Sequence, residues 1–145
     1  MTTKSFSVWE GPEGIKEYIE AVSGCKPYSG AGICPRIHKK TTILRSVDDT
    51  PYYKDDLTNV QNPKYTLFGH SGDQDENEKQ FNEPLLNQAK TENIYLYRVT
   101  KDKKKKEYIW YGRYTIKEKN VVSHIGKDGN DRNIIVLTLD KCLEL

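Results

Sequence analysis

The chain has 145 residues, of which 35% are hydrophobic and 30% charged, and its formal net charge is +2. This length favours one domain with its own core, and ten tyrosines, two tryptophans and three phenylalanines supply large apolar side chains that disordered chains lack. The sequence has neither an apolar run long enough to cross a bilayer nor the apolar core of a secretory signal, so we expect no membrane contact and an intracellular protein, in the nucleus or the cytoplasm. Its three cysteines are irregularly spaced, and we therefore expect reduced thiols.

The first predicted element is a short helix. The apolar residues between Ile15 and Val22 are spaced as one helical face, and Pro12 precedes them where a helix start tolerates proline. Residues 23–35 are rich in glycine, serine and proline and are predicted to form a loop. The β-prone segment Thr41 to Val47 is predicted to be the first strand.

The middle of the chain predicts one strand and one helix. Lys64 to Phe68 is a short β-prone segment that ends at Gly69. The helix after it carries Phe81 and Leu85 on one face, and Pro84 requires a helix start or a kink at that point.

The last third of the chain is predicted to be β-structure. Ile94 to Thr100 alternates between two faces and is predicted to form a hairpin with Tyr108 to Ile116. Residues 126–130 have turn composition, and residues 132–139 are apolar on both faces, as in a central strand. The sequence therefore predicts an α+β fold with a strongly curved sheet or partial β-barrel and two short helices. We expect one domain over 1–145, with an N-terminal helical segment (1–23) and a β-rich core (24–145).

Charge is distributed unevenly along the chain. Residues 26–45 contain five basic residues and no acid, residues 98–119 contain nine basic residues against three acids, and residues 73–92 contain six acids against two lysines. This asymmetry favours a basic face that binds a polyanion. The phosphate ligands that we predict are Arg36, Lys39, Lys40, Arg98 and Arg113. In the alternative interpretation, the lysines at 103–106 only solubilise a hairpin and Arg98 pairs with the acidic segment.

The stretch from Tyr53 to Gln74 combines aromatic residues, adjacent acids and a glycine-containing turn. A nucleobase outside a helical stack requires flat faces to stack on and polar groups to contact its edge. Tyr53 and Tyr65 are candidate faces, and Asp56 is a candidate acceptor for the amino group of cytosine. The alternative is that both tyrosines belong to the core and that Asp56 lies in a solvated turn.

An ordered series of short motifs then resembles a known family. Its members are Ala31-Gly32-Ile33, Tyr53-Lys54-Asp55-Asp56, Tyr65-Thr66, Asp73-Gln74 followed by Asn82 and Leu85, Arg98 at a strand end, and more loosely Tyr111-Gly112-Arg113-Tyr114. Their order, and the spacing of the two tyrosine motifs, resemble the SET- and RING-associated (SRA) domain. That family has a PUA-like fold and binds modified cytosine in DNA. The resemblance extends from about Gly30 to Leu139.

The resemblance implies roles for particular residues. Tyr53 and Tyr65 would sandwich a flipped cytosine, and Asp56 would accept hydrogen bonds from its polar edge. Thr66, Gly32 and the backbone around residues 46–49 would line the pocket. The chain departs from the family pattern after Tyr65-Thr66, where Leu67-Phe68 replaces glycine, and before Tyr53, where the segment is less glycine-rich. These departures leave open which modification is bound.

The function predicted from the sequence is a non-enzymatic module that flips a modified cytosine of double-stranded DNA into this pocket. A PUA-like module that binds RNA and a targeting subunit for a separate nuclease or chromatin enzyme are the alternatives. We predict no cofactor and no metal, because the cysteines and histidines lack the close pairs of a zinc site.

Overall fold

The computed structural model of the chain describes residues 3–27, 32–48, 53–102, 105–126 and 128–143. Within these residues, seven strands form one mixed sheet that curls into half a barrel and carries two α-helices. In chain order the elements are β1 Lys4–Phe6, α1 Ile15–Ser23, β2 Ile33–Arg36, a 3-10 turn Ile37–Lys39, β3 Thr41–Val47, β4 Lys64–Thr66, α2 Asn82–Leu86, β5 Asn93–Asp102, β6 Lys105–Ile125 and β7 Asp131–Lys141. The predicted α+β fold is confirmed. Neither helix of this described part has the length and apolarity of a membrane span.

The strand order explains how distant segments meet. The order is β2-β3-β5-β6-β7-β4, with β1 added to β6, and among the described pairs only β3 and β5 run parallel. The long strand β6 pairs first with β5 and then with β7, with register shifts at Leu96/Tyr97 and Ile116/Glu118. Because bulges bend a sheet, β4 can lie close to the end of β3 although three strands separate them in the sheet.

Side-chain alternation divides the core between the two faces of this sheet. On β5, Leu96 and Tyr97 belong to different clusters. The cluster of Leu96 lies on the concave face, because its Tyr65, from β4, reaches across the curled sheet to the backbone of Arg45 on β3, and the cluster of Tyr97 lies on the opposite, convex face. Ile15 and Ile19 of α1 are fully buried in the convex cluster, so this helix packs its apolar face on the sheet. The concave cluster contains Tyr65.

The structure differs from the sequence prediction at two edges. Residues 33–35 were predicted to be loop, yet they belong to β2 (Ile33–Arg36), and β1 was not predicted. In the strand order β2 is an end strand with a neighbour on one side only. Pro35, which has no backbone N–H, is tolerated there because no strand on the outer side requires that hydrogen bond. In α2, Pro84 is the third residue, so it stands in the first turn, where its missing N–H costs no helical hydrogen bond.

Candidate nucleic-acid interface

A cleft of about 400 Å³ opens at the carboxyl end of β3. Three parts of the chain line it: the end of β3, the segment that precedes β4, and one residue of β5. The lining residues are Ser46, Val47, Asp48, Tyr53, Lys54, Asp55, Asp56, Leu57, Thr58 and Arg98. Tyr53, Asp56 and Arg98, which were predicted from the sequence to bind nucleic acid, are therefore brought together here. The predicted contribution of residues 46–48 to the lining is also present, whereas residues 49–52 lie outside the described part.

Asp55 ties the cleft segment to two strands. Its Oδ2 accepts a hydrogen bond from Ser46 Oγ at 2.7 Å, and its Oδ1 accepts one from the Thr66 N–H at 2.7 Å. The Thr66 hydroxyl in turn accepts the N–H of Lys54 at 3.0 Å. Burial raises the pKa of Asp55, against the opposing effect of these hydrogen bonds. The side chain is thus a structural clamp between β3 and β4.

Asp56 follows directly and has the opposite environment. Its backbone pairs with Lys64 in both directions, at 2.9 and 2.8 Å, while its side chain is exposed. Oδ1 accepts hydrogen bonds from Thr58 Oγ1 at 2.6 Å and from the Thr58 N–H at 3.0 Å. These bonds lower the pKa of Asp56, so the group is an oriented, ionised acceptor at neutral pH.

Tyr53 lies at the rim of the cleft with a partly exposed ring. Its centroid is 5.6 Å from that of His70, at an interplanar angle of 55°. His70 stands on a loop that Gln74 holds in place, since Gln74 Nε2 donates to Leu67 O at 2.6 Å and Oε1 accepts the Ile135 N–H at 2.8 Å. Gln74 thus holds the loop through hydrogen bonds at both ends of its side-chain amide.

Asn82 and Asp73, both part of the family motifs, support the same loop. Asn82 is fully buried and exchanges two hydrogen bonds with the backbone of Phe68, at 2.8 and 2.9 Å. Asp73 Oδ1 accepts the N–H of Asn133 at 2.8 Å. The motif residues after β4 thus fix the wall behind Tyr53 and lie outside the cleft lining.

Tyr65, Thr66 and Gly32 lie behind the cleft and are absent from its described lining. Tyr65 is 3% exposed, and its hydroxyl donates toward Gly32 O at 2.8 Å and Arg45 O at 3.2 Å. A Cβ at position 32 would stand 3.1 Å from this hydroxyl, so glycine permits the close approach. Burial, followed by the charges of Asp55 and Tyr53, raises the pKa of Tyr65 well above its usual range. The face that Tyr65 was predicted to offer a base is covered in this structure.

Arg98 enters the cleft from β5 in a bidentate ion pair. Its Nε and Nη2 donate to the two carboxylate oxygens of Asp48 at 2.7 and 2.8 Å. Burial opposes ionisation of Asp48, but the hydrogen bonds from Arg98 and Thr100 bring its pKa below the ordinary value. The partner of Arg98 is therefore Asp48, and the alternative pairing with the acidic segment 73–92 is wrong.

The other four predicted phosphate ligands are remote from the cleft. Arg36, Lys39 and Lys40 lie at or before the first residue of β3, whereas the cleft lies at its last residues, about 20 Å away at the usual rise per residue. Arg113 donates to Asn93, which also contacts Lys40, so it lies at the remote end too. Arg36 donates twice to the carbonyl of Lys26.

Other lysines lie nearer the cleft. Lys54 lines it, and Lys101, Lys105 and Lys106 are exposed on the hairpin that continues β5 and β6 beyond Arg98. Lys103 and Lys104 of the same predicted cluster lie outside the described residues. Sequence reasoning overlooked Lys54 and Asp55 as cleft residues, and it did not identify His70 as the neighbour of the Tyr53 ring. For Asp55 a signal was present, because two adjacent acids in an extended segment must point in opposite directions.

A family model described as "ScoMcrA-like, SRA domain" matches residues 16–142. No curated protein sequence gives a significant match.

Solved structures with the same fold are distant in sequence. The sulfur-binding and SRA domains of ScoMcrA, complexed with phosphorothioated DNA, are 20% identical with a TM-score of 0.57. KRYPTONITE in complex with mCHG DNA and SAH is 16% identical with a TM-score of 0.63, and the modification-dependent restriction endonuclease TagI is 13% identical with a TM-score of 0.58. These alignments cover 97%, 99% and 99% of this chain but only 39%, 33% and 50% of the respective structures.

Proposed function

The chain belongs to the ScoMcrA-like SRA domain family, and on this premise we propose that it is a reader module that binds double-stranded DNA and takes a flipped, modified cytosine into the cleft beside Tyr53. The observation that carries the proposal is the convergence of Tyr53 and Asp56 in one open cleft. Its volume of about 400 Å³ falls in the range of pockets that hold small ligands, about 300–1,000 Å³.

The two residues supply complementary contacts for a base. The Tyr53 ring offers a stacking face, worth about 1–3 kcal/mol per base, which offsets much of the cost of unstacking. Asp56 has one oxygen engaged by Thr58, and its other oxygen can accept the amino group of cytosine. A guanine or thymine offers a carbonyl at the corresponding position, which a carboxylate disfavours.

Tyr65 enters the proposal as the inner wall of the pocket. Its ring is buried next to the clamp that Asp55 forms with β4. A base can stack on this ring only after the 53–56 segment has moved away from β4 by the thickness of a base. We therefore assign the outer face to Tyr53 and the inner face to Tyr65 once DNA is bound.

The position of the cleft also supports an orientation for the DNA. Arg98 at the cleft and the exposed lysines of the β5–β6 hairpin lie at one end of the sheet. A duplex laid across this end would bring its phosphates to the hairpin while one nucleotide enters the cleft. Such contacts carry no sequence information but give salt-dependent affinity.

Titration of short duplexes containing cytosine, 5-methylcytosine or 5-hydroxymethylcytosine at one site, together with an RNA of matched sequence, tests the proposal. We expect at least one modified duplex to bind more tightly than the unmodified one. Equal affinity for all duplexes would contradict the proposal, and a preference for the RNA would favour the alternative RNA-binding module.

The hairpin lysines are expected to contribute uniformly to the affinity for DNA. Replacing Lys101, Lys105 and Lys106 by serine should weaken all duplexes alike and reduce the slope of log affinity against log salt by up to about 3, roughly one per lost phosphate contact. Fluorescence anisotropy at several salt concentrations measures this slope.

The matched control for the hairpin is Lys39→Ser with Lys40→Ser, at the remote end of β3. This variant should keep the wild-type slope, because the structure separates these lysines from the cleft. If the slope fell more in the control than in the hairpin variant, the phosphates would contact the opposite end of the sheet, and the proposed orientation of the DNA would be wrong.

A second candidate function is supported by the partial coverage of the related structures. The chain spans half or less of each of these three structures. TagI is a restriction endonuclease by name, and a further solved structure describes ScoMcrA as a phosphorothioation-dependent restriction endonuclease. We propose that such a reader module directs a separate nuclease to modified DNA. Co-purification of a nuclease with the tagged chain from its own cells, lost when the bait is omitted, tests this role.

A further inference from the structure

A second groove lies on the convex side of the sheet, away from the cleft. Its volume is about 540 Å³, and it is formed by β1, the turn before α1 and the first half of that helix. The rings of Phe6 and Tyr18 in this groove pack against the convex cluster, whereas Leu57 of the cleft belongs to the concave cluster. The two cavities therefore face opposite sides of the sheet.

The groove already holds a cation on aromatic faces. The centroids of Phe6 and Tyr18 are 5.1 Å apart, and Lys4 Nζ lies 4.6 Å from the centroid of Tyr18 and 5.4 Å from that of Phe6. Ammonium groups within about 6 Å of a ring are attracted by its quadrupole. Tyr18 is held in turn by an edge contact with Trp110 at 5.5 Å and 75°.

Two carboxylates in the groove have no cationic partner. Glu13 and Glu17 line it with exposed side chains, and no ion pair within 4.0 Å involves either of them among the described residues. Lys16, on the same helix, pairs instead with Glu10 at 3.7 Å. The groove therefore presents two acids and two aromatic rings to a single cation, Lys4.

The start of α1 does not offer the groove an anion site. The N–H groups of Ile15 and Lys16 donate to the carbonyls of Val8 and Trp9, at 3.2 and 2.8 Å. Gly14 is packed so tightly that a Cβ would lie 2.6 Å from the backbone of Glu10. The turn before α1 is thus held by backbone contacts of its own. The charges beside it that form no ion pair among the described residues are those of Glu13 and Glu17, and their negative sign disfavours nucleic acid.

We propose that this groove is a docking site for a basic segment of a partner protein, which places a lysine or arginine side chain over Tyr18 and Phe6 in exchange for Lys4. Glu13 and Glu17 provide the complementary charge. Lys4 can leave because its side chain is exposed and forms no ion pair with a described residue. Because the groove lies opposite the cleft, the module can hold its partner and DNA at the same time.

The test uses the acetylated hexapeptide with alternating arginine and glycine, and the same peptide with citrulline in place of arginine. Amide chemical shifts of the ¹⁵N-labelled chain report affinity and location. With the arginine peptide we expect shifts confined to residues 4–18, and with the citrulline peptide we expect none. Lys4→Ala should increase the affinity for the arginine peptide about threefold, because Lys4 no longer competes for the two aromatic rings. Tyr18→Leu and the double variant Glu13→Gln, Glu17→Gln should each lower the affinity by about threefold or more.

Lys90→Ala is the matched control, because it removes one positive charge far from the groove, from a lysine paired with Glu83. It should bind the peptide like the wild type. The proposal would be overturned if Lys4→Ala and Lys90→Ala had equal effects, if the citrulline peptide bound as tightly as the arginine peptide, or if the shifts were centred on the cleft. If Tyr18→Leu fails to fold, the exposed glutamate variant still decides the question. No groove residue lines the cleft, so failure here leaves the reader proposal intact.

Discussion

Replacing Asp56 by alanine is expected to abolish the preference for cytosine over other bases at the flipped position and to leave weak, salt-sensitive binding to any duplex. The carboxylate is ionised, exposed to the cleft and oriented by Thr58, so we expect it to contribute a charge-assisted hydrogen bond to the base and little to the fold. Such a bond contributes about 1.5–3 kcal/mol, which corresponds to a loss of preference of about tenfold to hundredfold. Competition between duplexes that differ only in carrying modified cytosine or thymine at the flipped position measures the ratio directly.

Asp56→Asn is the control that separates reading from local structure. The amide oxygen can still accept the hydrogen bonds of Thr58, but the amide nitrogen then presents a donor to the amino group of cytosine. We expect the asparagine variant to unfold like the wild type and to lose the preference as well. A variant that kept the full preference would show that another group contacts the base.

Replacing Asp55 by alanine is expected to lower the free energy of unfolding by about 3 kcal/mol and to weaken base preference through loss of order in the cleft. The substitution leaves the buried N–H of Thr66 and the buried hydroxyl of Ser46 without their acceptor, and each buried unpaired donor costs about 1–3 kcal/mol. Urea denaturation at neutral pH measures the change.

The structural role of Asp55 can be tested by comparing its substitutions with those of the neighbouring Asp56. Asp56→Ala should alter stability by less than about 1 kcal/mol, because its side chain is exposed. Asp55→Asn should retain most of the stability, since its amide oxygen can accept from Thr66 while its nitrogen donates to Ser46 Oγ. If Asp56→Ala destabilised the fold more than Asp55→Ala, the roles of the two acids would be reversed.

The pH dependence of stability should carry the signature of Asp55. Because burial raises its pKa above the ordinary value of 3.8, the native state binds this proton more tightly than the unfolded chain does. The resulting contribution to stability is complete below pH 3.8 and is lost as pH rises through the native pKa. As pH rises above 3.8, the free energy of unfolding of the wild type should therefore fall relative to that of Asp55→Asn.

Local patterns were sufficient for much of the fold. The strand over Thr41 to Val47 was predicted with its observed bounds, because β-branched residues and a following turn signal are local properties. The alternation of residues 94–100 also placed Tyr97 and Leu96 on opposite faces correctly. The edge strands β1 and β2 were missed, since a three- or four-residue edge strand is defined by the backbone of its neighbour and its own side chains carry little signal.

For the candidate interface, the sequence alone determined the family, through the order and spacing of short motifs, and hence Tyr53 and Asp56 as cleft residues. Only the tertiary structure decided that Asp55 links β3 to β4 while the neighbouring Asp56 is exposed, that the Tyr65 ring is buried, and that Arg98 is paired with Asp48. It also separated Lys39 and Lys40 from the cleft by the length of β3. The physical reason is that motif spacing records positions along the chain, whereas burial, ion pairing and distance depend on how the curled sheet brings β3, β4 and β5 together.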